Sequence, residues 1–347
     1  MNSKNSPAGS LRYEGCTLTG ALSVLTQVRD AVTVVHGPSG CTHHNFSLLH
    51  AIAAEQDDCA LPPLVSTGLA ESEIIFGGEE MLARTLQRVA DDGPAAIFVL
   101  STCITETIGD DLSSVCSRDF GLPVIPVPTA GFLGGAFSDG LNAALNTLAA
   151  LAGDGGVRER TVTVIGEKNL EFEVEENFAE VERLLGLLGL RVGVRFVRKM
   201  RFADFARLGS GSLNILREPA LRPVGEALKQ RFGTPYIDSF PIGLEGGVAF
   251  LEEAAAIMGI DPEGVVEAER VHQAEMLSSF ADLRGAAVSP DPLTLGSLEY
   301  APVRRVMAAL DLRADTGGAG LSLPYSPPVG TAGIRRLLHR WRRRIHA

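Results

Sequence analysis

Short runs of apolar, β-branched residues alternate along this chain with longer stretches in which apolar side chains return every three or four positions. Residues 31–36 (AVTVVH) are almost wholly apolar and lie between polar turns, which predicts a buried strand. Residues 95–101 (AAIFVLS) and 123–127 (PVIPV) read the same way. Between them, residues 78–90 place Met81, Leu82, Leu86 and Val89 on one helical face. Residues 104–118 and 134–151 are helical in pattern too, and Leu18, Leu22, Leu25 and Val28 outline a helix that opens at Glu14-Gly15-Cys16. Strand, Gly-rich turn and helix in repetition predict a parallel sheet with helices on both faces.

Residues 153–160 (GDGGVRER) interrupt that rhythm with glycine and charge, as a linker does. A second alternation follows, with strands at 161–165 and 191–197 around a helix at 173–188, then shorter strands at 212–216 and 234–237. From Gly243 onward the pattern is mostly helical, over 244–258 and 262–283. A Pro/Gly turn at 323–333 (LPYSPPVGTAG) feeds a basic last helix. The expected fold is α/β: consecutive Rossmann-like parallel-sheet units with helices on both faces and a helical C-terminal part. The expected division is a flexible leader at 1–14, one unit at 15–155, a second at 156–285, and a segment at 286–347 that packs back on them.

Composition narrows the function classes. A chain of 347 residues with 45% hydrophobic and 21% charged residues has core enough for roughly two domains. The first ten residues are polar, and no apolar run approaches the roughly 18 residues a membrane span needs, so a cytoplasmic protein is expected. A net charge of −11 argues against nucleic acid as a general partner. The last helix is the exception, with Arg335, Arg336, Arg340, Arg342, Arg343 and Arg344; it reads as a solvated face or as a contact for an acidic partner. There is no G-x-x-x-x-G-K-[ST] phosphate loop, and no G-x-G-x-x-G opens a helix after a strand.

The five cysteines, an odd number, do not suggest a disulfide framework and call for ligation or burial instead. Cys16 heads a helix, Cys41 ends the turn after the first strong strand, and Cys103 follows the strand at 95–101. All three therefore fall at strand carboxyl ends or helix starts, where α/β sheets place ligands and where a thiol's pKa drops. Cys59 and Cys116 read as buried or incidental thiols. The spacings are far wider than the C-x-x-C pairs of zinc ribbons and ferredoxins, and three ligands fall one short of four. A symmetric dimer would supply more thiolates. Iron–sulfur and zinc readings both remain open on this footing.

The surroundings of the three cysteines carry a resemblance. Gly15-Cys16-Thr17, His36-Gly37-Pro38-Ser39-Gly40-Cys41, Ser72-Glu73-Ile74-Ile75-Phe76-Gly77-Gly78 and Cys103-Ile104-Thr105-Glu106-Thr107-Ile108-Gly109-Asp110-Asp111 resemble, in order, motifs of the component 1 family of nitrogenases and nitrogenase-like enzymes. Pro328-Val329-Gly330-Thr331-Ala332-Gly333 resembles that family's closing turn before the last helix. The likeness is dense in the first half and thin after Gly153.

The resemblance implies that Cys16, Cys41 and Cys103 hold an iron–sulfur cluster, of [4Fe-4S] type, at a subunit interface. It implies a homodimer and a transient partner, a homodimeric ATPase of the nitrogenase reductase (Fe protein) type, which alone binds MgATP and delivers electrons singly. The missing phosphate loop fits that division. Nitrogenase itself anchors its large cofactor through a Cys in the second domain and a His near the C-terminus. Residues 206–218 here contain no Cys and residues 321–333 no His, so nitrogen reduction is not expected. With its shorter length, the chain resembles most the catalytic component of Ni-sirohydrochlorin a,c-diamide reductive cyclases, which reduce a nickel tetrapyrrole in methanogenic cofactor synthesis. A chlorophyll-precursor reductase subunit, a cofactor-assembly scaffold and a non-enzymatic zinc or regulatory protein are the alternatives.

A tetrapyrrole substrate bearing carboxylates needs cations. Arg198, Lys199, Arg201 and Arg217 lie near strand ends of the second unit, though each is equally a candidate for a solvated face. His43 and His44 follow Cys41 and are candidate proton donors or structural hydrogen-bonding groups. Asp110 and its neighbour Asp111 are candidate acids, or orient the cysteine loop.

Overall fold

The computed structural model describes residues 15–55, 64–153, 160–171 and 173–347. Its first sheet contains β1 (Ala31–His36), β2 (Leu64–Ser66), β3 (Ala96–Ser101) and β4 (Val124–Val127), all parallel, in the order β2-β1-β3-β4. β1 and β3 are central and buried along their whole length, which explains their uninterrupted apolar runs. Their side chains divide by alternation. Val32, Val34, Ile97 and Val99 pack with Leu82, Leu86 and Val89 of the helix Glu79–Asp91. Val35, Phe98 and Leu100 pack on the opposite face, with Leu18, Leu22 and Leu25 of the helix Thr17–Leu25 and Leu141 and Leu145 of the helix Phe137–Ala150. Those last two helices touch backbone to backbone: a Cβ on Gly20 would strike the carbonyl of Phe137, and one on Gly140 that of Thr17.

The single helix expected at 104–118 is two, Cys103–Ile108 and Leu112–Cys116. Gly109, at φ +81°, ends the first in the left-handed conformation, and the Asp111 carboxylate accepts from Ser114 N to cap the second. The break matters because it turns Asp110 inward.

The second sheet repeats the winding of the first. It holds β5 (Thr161–Ile165), β6 (Arg191–Phe196), β7 (Leu213–Leu216) and β8 (Tyr236–Ile237) in the order β6-β5-β7-β8, again parallel. The C-terminal part is mostly helical, as expected, but also carries a small parallel sheet of β9 (Ala287–Pro290), β10 (Arg313–Ala314) and β11 (Ala319–Leu321), in the order β10-β9-β11. Strands of two and three residues are too short to leave a period-two signature.

The last helix, Gly330–Ile345, sinks Ile334, Leu337, Leu338 and Trp341 into a cluster with Phe280, Val303 and Val306. Its arginines split. Arg336 and Arg340 pair with Glu173 at 3.2 and 2.5 Å, and Arg342 pairs with Asp282, while Arg335, Arg343 and Arg344 are exposed. Half of the basic face therefore serves the fold. Among the described residues no helix is long and apolar enough to cross a membrane. Residues 1–14, most of the linker and Cys59 lie outside the described residues.

Candidate functional site

Three thiols converge at the carboxyl end of the first sheet. The chain steps outward from β1 to β2 and then crosses back to β3, so strand order reverses between β1 and β3. Open α/β sheets hold ligands in the crevice beyond such a reversal. β1 ends at His36, and Gly37-Pro38 turn the chain into the helix Ser39–Glu55, whose first turn carries Cys41. β3 ends at Ser101, and Cys103 opens the helix Cys103–Ile108. Cys16 caps the helix Thr17–Leu25 and bridges to Ala136, in the segment beyond β4. Gly37 lets the two turns meet, since a Cβ there would collide with the Thr102 side chain.

The three thiols are free and partly exposed. Burial, and then the neighbouring charges of Cys103 and Cys16, push the Cys41 thiol above its ordinary value. The thiols thus feel one another, a cost that a shared cationic centre removes. The Phe132 N–H donates to Cys103 Sγ at 3.2 Å. That turn is pinned by the Thr17 hydroxyl, which donates to the carbonyls of Thr129 and Gly131. Gly131, at φ +54°, is required here, because a Cβ would collide with Cys103 Sγ. Thiolates are the donors that iron–sulfur clusters take, and this set fits one, with one position of four left for another ligand. Among the described residues no group of three His, Cys, Asp or Glu side chains is arranged to hold a single metal ion.

Behind the thiols lies a buried tie. His36 Nε2 and Asp110 Oδ2 are 2.9 Å apart, and Gly78 N donates to both Asp110 oxygens at 3.0 and 3.2 Å. His36 Nδ1 lies 3.1 Å from the Thr67 hydroxyl. Burial lowers the His36 pKa and outweighs Asp110, which acts to raise it. With the side chains only 0% and 4% exposed, Asp110 holds the Gly77-Gly78 and Gly109-Asp110 turns against the end of β1. His43 and His44 are exposed on the helix that carries Cys41, and Asp111 is an exposed cap. Cys116 is a core thiol, pushed up to about 11 by burial.

The cationic candidates gather at the corresponding edge of the second sheet, with one exception. Arg198 is buried, donating to Glu175 at 2.8 Å and to Asn169 Oδ1 at 3.2 Å. Lys199 lies 3.3 Å from Glu175. Arg217 follows β7 and stacks over Phe240. Arg201 stands apart, exposed at the turn where Met200 bridges to Val28 of the first unit. Two further residues escaped the sequence reading. Arg195 donates to Glu167 at 3.3 Å and to Glu175 at 2.7 Å. Glu167 is 5% exposed; burial pushes its carboxyl up, against the pull of Arg195, Arg217 and Arg198. Burial acts to raise Glu175 too, but hydrogen bonds from Arg195 and Arg198 hold it at about 2. A charge inside the otherwise apolar stretch RVGVRF was the available signal for Arg195.

Fold and thiol site together define an α/β protein of the nitrogenase type, and comparison with known proteins agrees. The family described as nitrogenase component 1 type oxidoreductase matches residues 16–289, and the chain belongs to it. Among curated relatives, the nitrogenase iron-molybdenum cofactor biosynthesis protein NifE of Clostridium pasteurianum is 31% identical over 261 residues, 73% of this chain and 56% of that protein. The nitrogenase molybdenum-iron protein alpha chain of Methanococcus maripaludis is 26% identical, over 78% of this chain and 60% of that one. The chain thus spans little more than half the length of these relatives. A solved structure, nitrogenase Cp1 at pH 5, superposes with a TM-score of 0.70 over 90% of this chain and 66% of that one, at 22% identity, which shows the shared fold.

Proposed function

We propose that this chain is the electron-accepting iron–sulfur component of a nitrogenase-like reductase, with Cys16, Cys41 and Cys103 as the thiolate ligands. The observation that carries the reading is the convergence of three free thiols at helix starts, with Cys103 and Cys16 close enough to Cys41 to push its thiol up. Family membership supports it, since nitrogenase component 1 proteins bind iron–sulfur clusters. When bound, a thiolate-ligated cluster supplies one-electron chemistry at potentials down to about −400 mV or lower.

The chain's own part is to hold, orient and shield. Helix starts fix the positions of Cys41 and Cys103, and the Phe132 N–H donates to Cys103 Sγ. Ile75, Phe76, Phe132 and Leu133 are 64–87% exposed on the elements around the thiols. An apolar rim of this kind suits docking. In this reading its occupants are a second copy of the chain and a transient ATPase of the Fe-protein type, within the cytoplasm.

The substrate in this reading is a nickel tetrapyrrole, Ni-sirohydrochlorin a,c-diamide. It rests on the resemblance of the motifs around Cys16, Cys41 and Cys103 to nitrogenase-like reductases; the lack of Cys in residues 206–218 and of His in 321–333 argues only against nitrogenase's own cofactor. A second reading, a scaffold for cofactor assembly, is favoured by the likeness to NifE.

Anaerobic purification with iron and sulfide analysis, followed by electron paramagnetic resonance after dithionite reduction, tests the first claim. About four irons per chain or per dimer and a reduced-cluster signal are expected. A colourless protein that takes up no iron on reconstitution overturns it. ATP-driven reduction of the nickel tetrapyrrole, against release of a metal cluster to an acceptor protein, separates the two readings.

A further inference from the structure

The second sheet reverses its strand order between β5 and β7, as the first does between β1 and β3. Glu167 stands two residues beyond β5, and Arg217 is the first residue beyond β7. A hydrogen bond from Arg217 N to Ile165 O, 2.9 Å, holds these strand ends together. The Arg217 side chain is 6% exposed, and its guanidinium lies over the Phe240 ring, 4.3 Å from the centroid. Its Nη2 is buried with no hydrogen-bond acceptor. The facing acid oxygen, Glu171 Oε2, is 3.7 Å away, beyond hydrogen-bonding range. Glu171 itself accepts from Ser326, in the segment after β11.

Arg195 repeats the pattern. Its Nε and Nη1 are spent on Glu167 and Glu175, its guanidinium covers the Phe178 ring at 3.5 Å, and its Nη2 is buried and unmatched. Buried guanidinium donors left without acceptors are costly. An acceptor from outside would satisfy both.

We propose that Arg217 and Arg195 anchor a carboxylate of a flat, ring-bearing ligand in the crevice beyond β5 and β7. A guanidinium fork matches a planar carboxylate. Phe178 and Phe240, stacked under the two guanidinium groups, fix the planes of those forks. The choice of a ring-bearing ligand rests on the tetrapyrrole reading above; the carboxylate subsite does not.

The test uses the full chain, reconstituted anaerobically with iron and sulfide, and three probes: uroporphyrin III, mellitate (a benzene ring bearing only carboxylates) and inorganic phosphate. Wild type is expected to bind both carboxylate probes saturably and phosphate far more weakly. Arg217→Met should weaken both by about ten- to a hundredfold, with partial rescue in Arg217→Lys. The exposed Arg343→Met should bind as wild type does. Undiminished binding by Arg217→Met, no carboxylate binding by wild type, or a preference for phosphate each overturns the proposal. Mellitate binding without uroporphyrin binding sustains the subsite and sinks the tetrapyrrole reading. Mellitate binding by a chain that takes up no iron sustains it and sinks the cluster reading.

Discussion

The backbone N–H of Phe132 points at Cys103 Sγ from 3.2 Å, across 29 positions of sequence. The contact depends on Thr17, from a third part of the chain, which grips the turn before Phe132 by two carbonyls. Thr17→Val removes the grip. It is expected to cost about 1 kcal/mol of stability, the worth of one hydrogen bond, read as a lower urea midpoint. An unchanged midpoint would show that this grip adds nothing to the fold.

Iron content should sort the cysteines. Cys16→Ala, Cys41→Ala and Cys103→Ala are each expected to lose most bound iron. Cys116→Ala should keep it and cost only about 1 kcal/mol of stability, as a small core truncation does. Equal iron in all four variants would sink the ligand assignment.

The buried His36 makes stability depend on pH. Burial lowers its pKa from the ordinary 6.5, so the folded chain keeps it neutral where the unfolded chain protonates. The stability it allows is whole above 6.5 and is lost as pH falls from there toward the folded pKa. His36→Gln should flatten this part of the profile in urea titrations between about pH 7 and pH 5. Asp110→Ala, which strips the acceptor from both His36 and Gly78, should cost about 2–3 kcal/mol at neutral pH. Parallel pH profiles for wild type and His36→Gln would refute the linkage.

The closing turn is a clasp. Glu180 accepts from Thr331 N at 2.8 Å and Ala332 N at 3.2 Å, Glu269 accepts from the Thr331 hydroxyl at 2.6 Å, and Arg183 bridges the two carboxylates. Carboxylates at this helix start suit the dipole. Gly330 sits at φ +55°, where a Cβ would run into Glu180. Gly330→Ala should therefore cost about 2 kcal/mol or more, read as a fall in urea midpoint at constant slope. A change below about 0.5 kcal/mol would show that the turn can shift without loss.

The local pattern determined a good deal by itself. Strands β1, β3 and β5 announced themselves because a strand covered on both faces is rich in apolar and β-branched residues, and the helix Glu79–Asp91 because one face alone is buried. The three cysteines stood out because helix starts after strands are fixed by turn chemistry, which is local. What the tertiary structure alone decided is who meets whom. His36 and Asp110 are 74 positions apart, Glu180 and Thr331 are 151 apart, and no periodicity records such pairings. Arg198 and Arg217 looked alike in sequence; one spends its guanidinium on Glu175 and Asn169, and the other keeps a buried donor unmatched. That difference arises from strand order, because the winding of the second sheet, not the identity of either arginine, sets which acids each can reach.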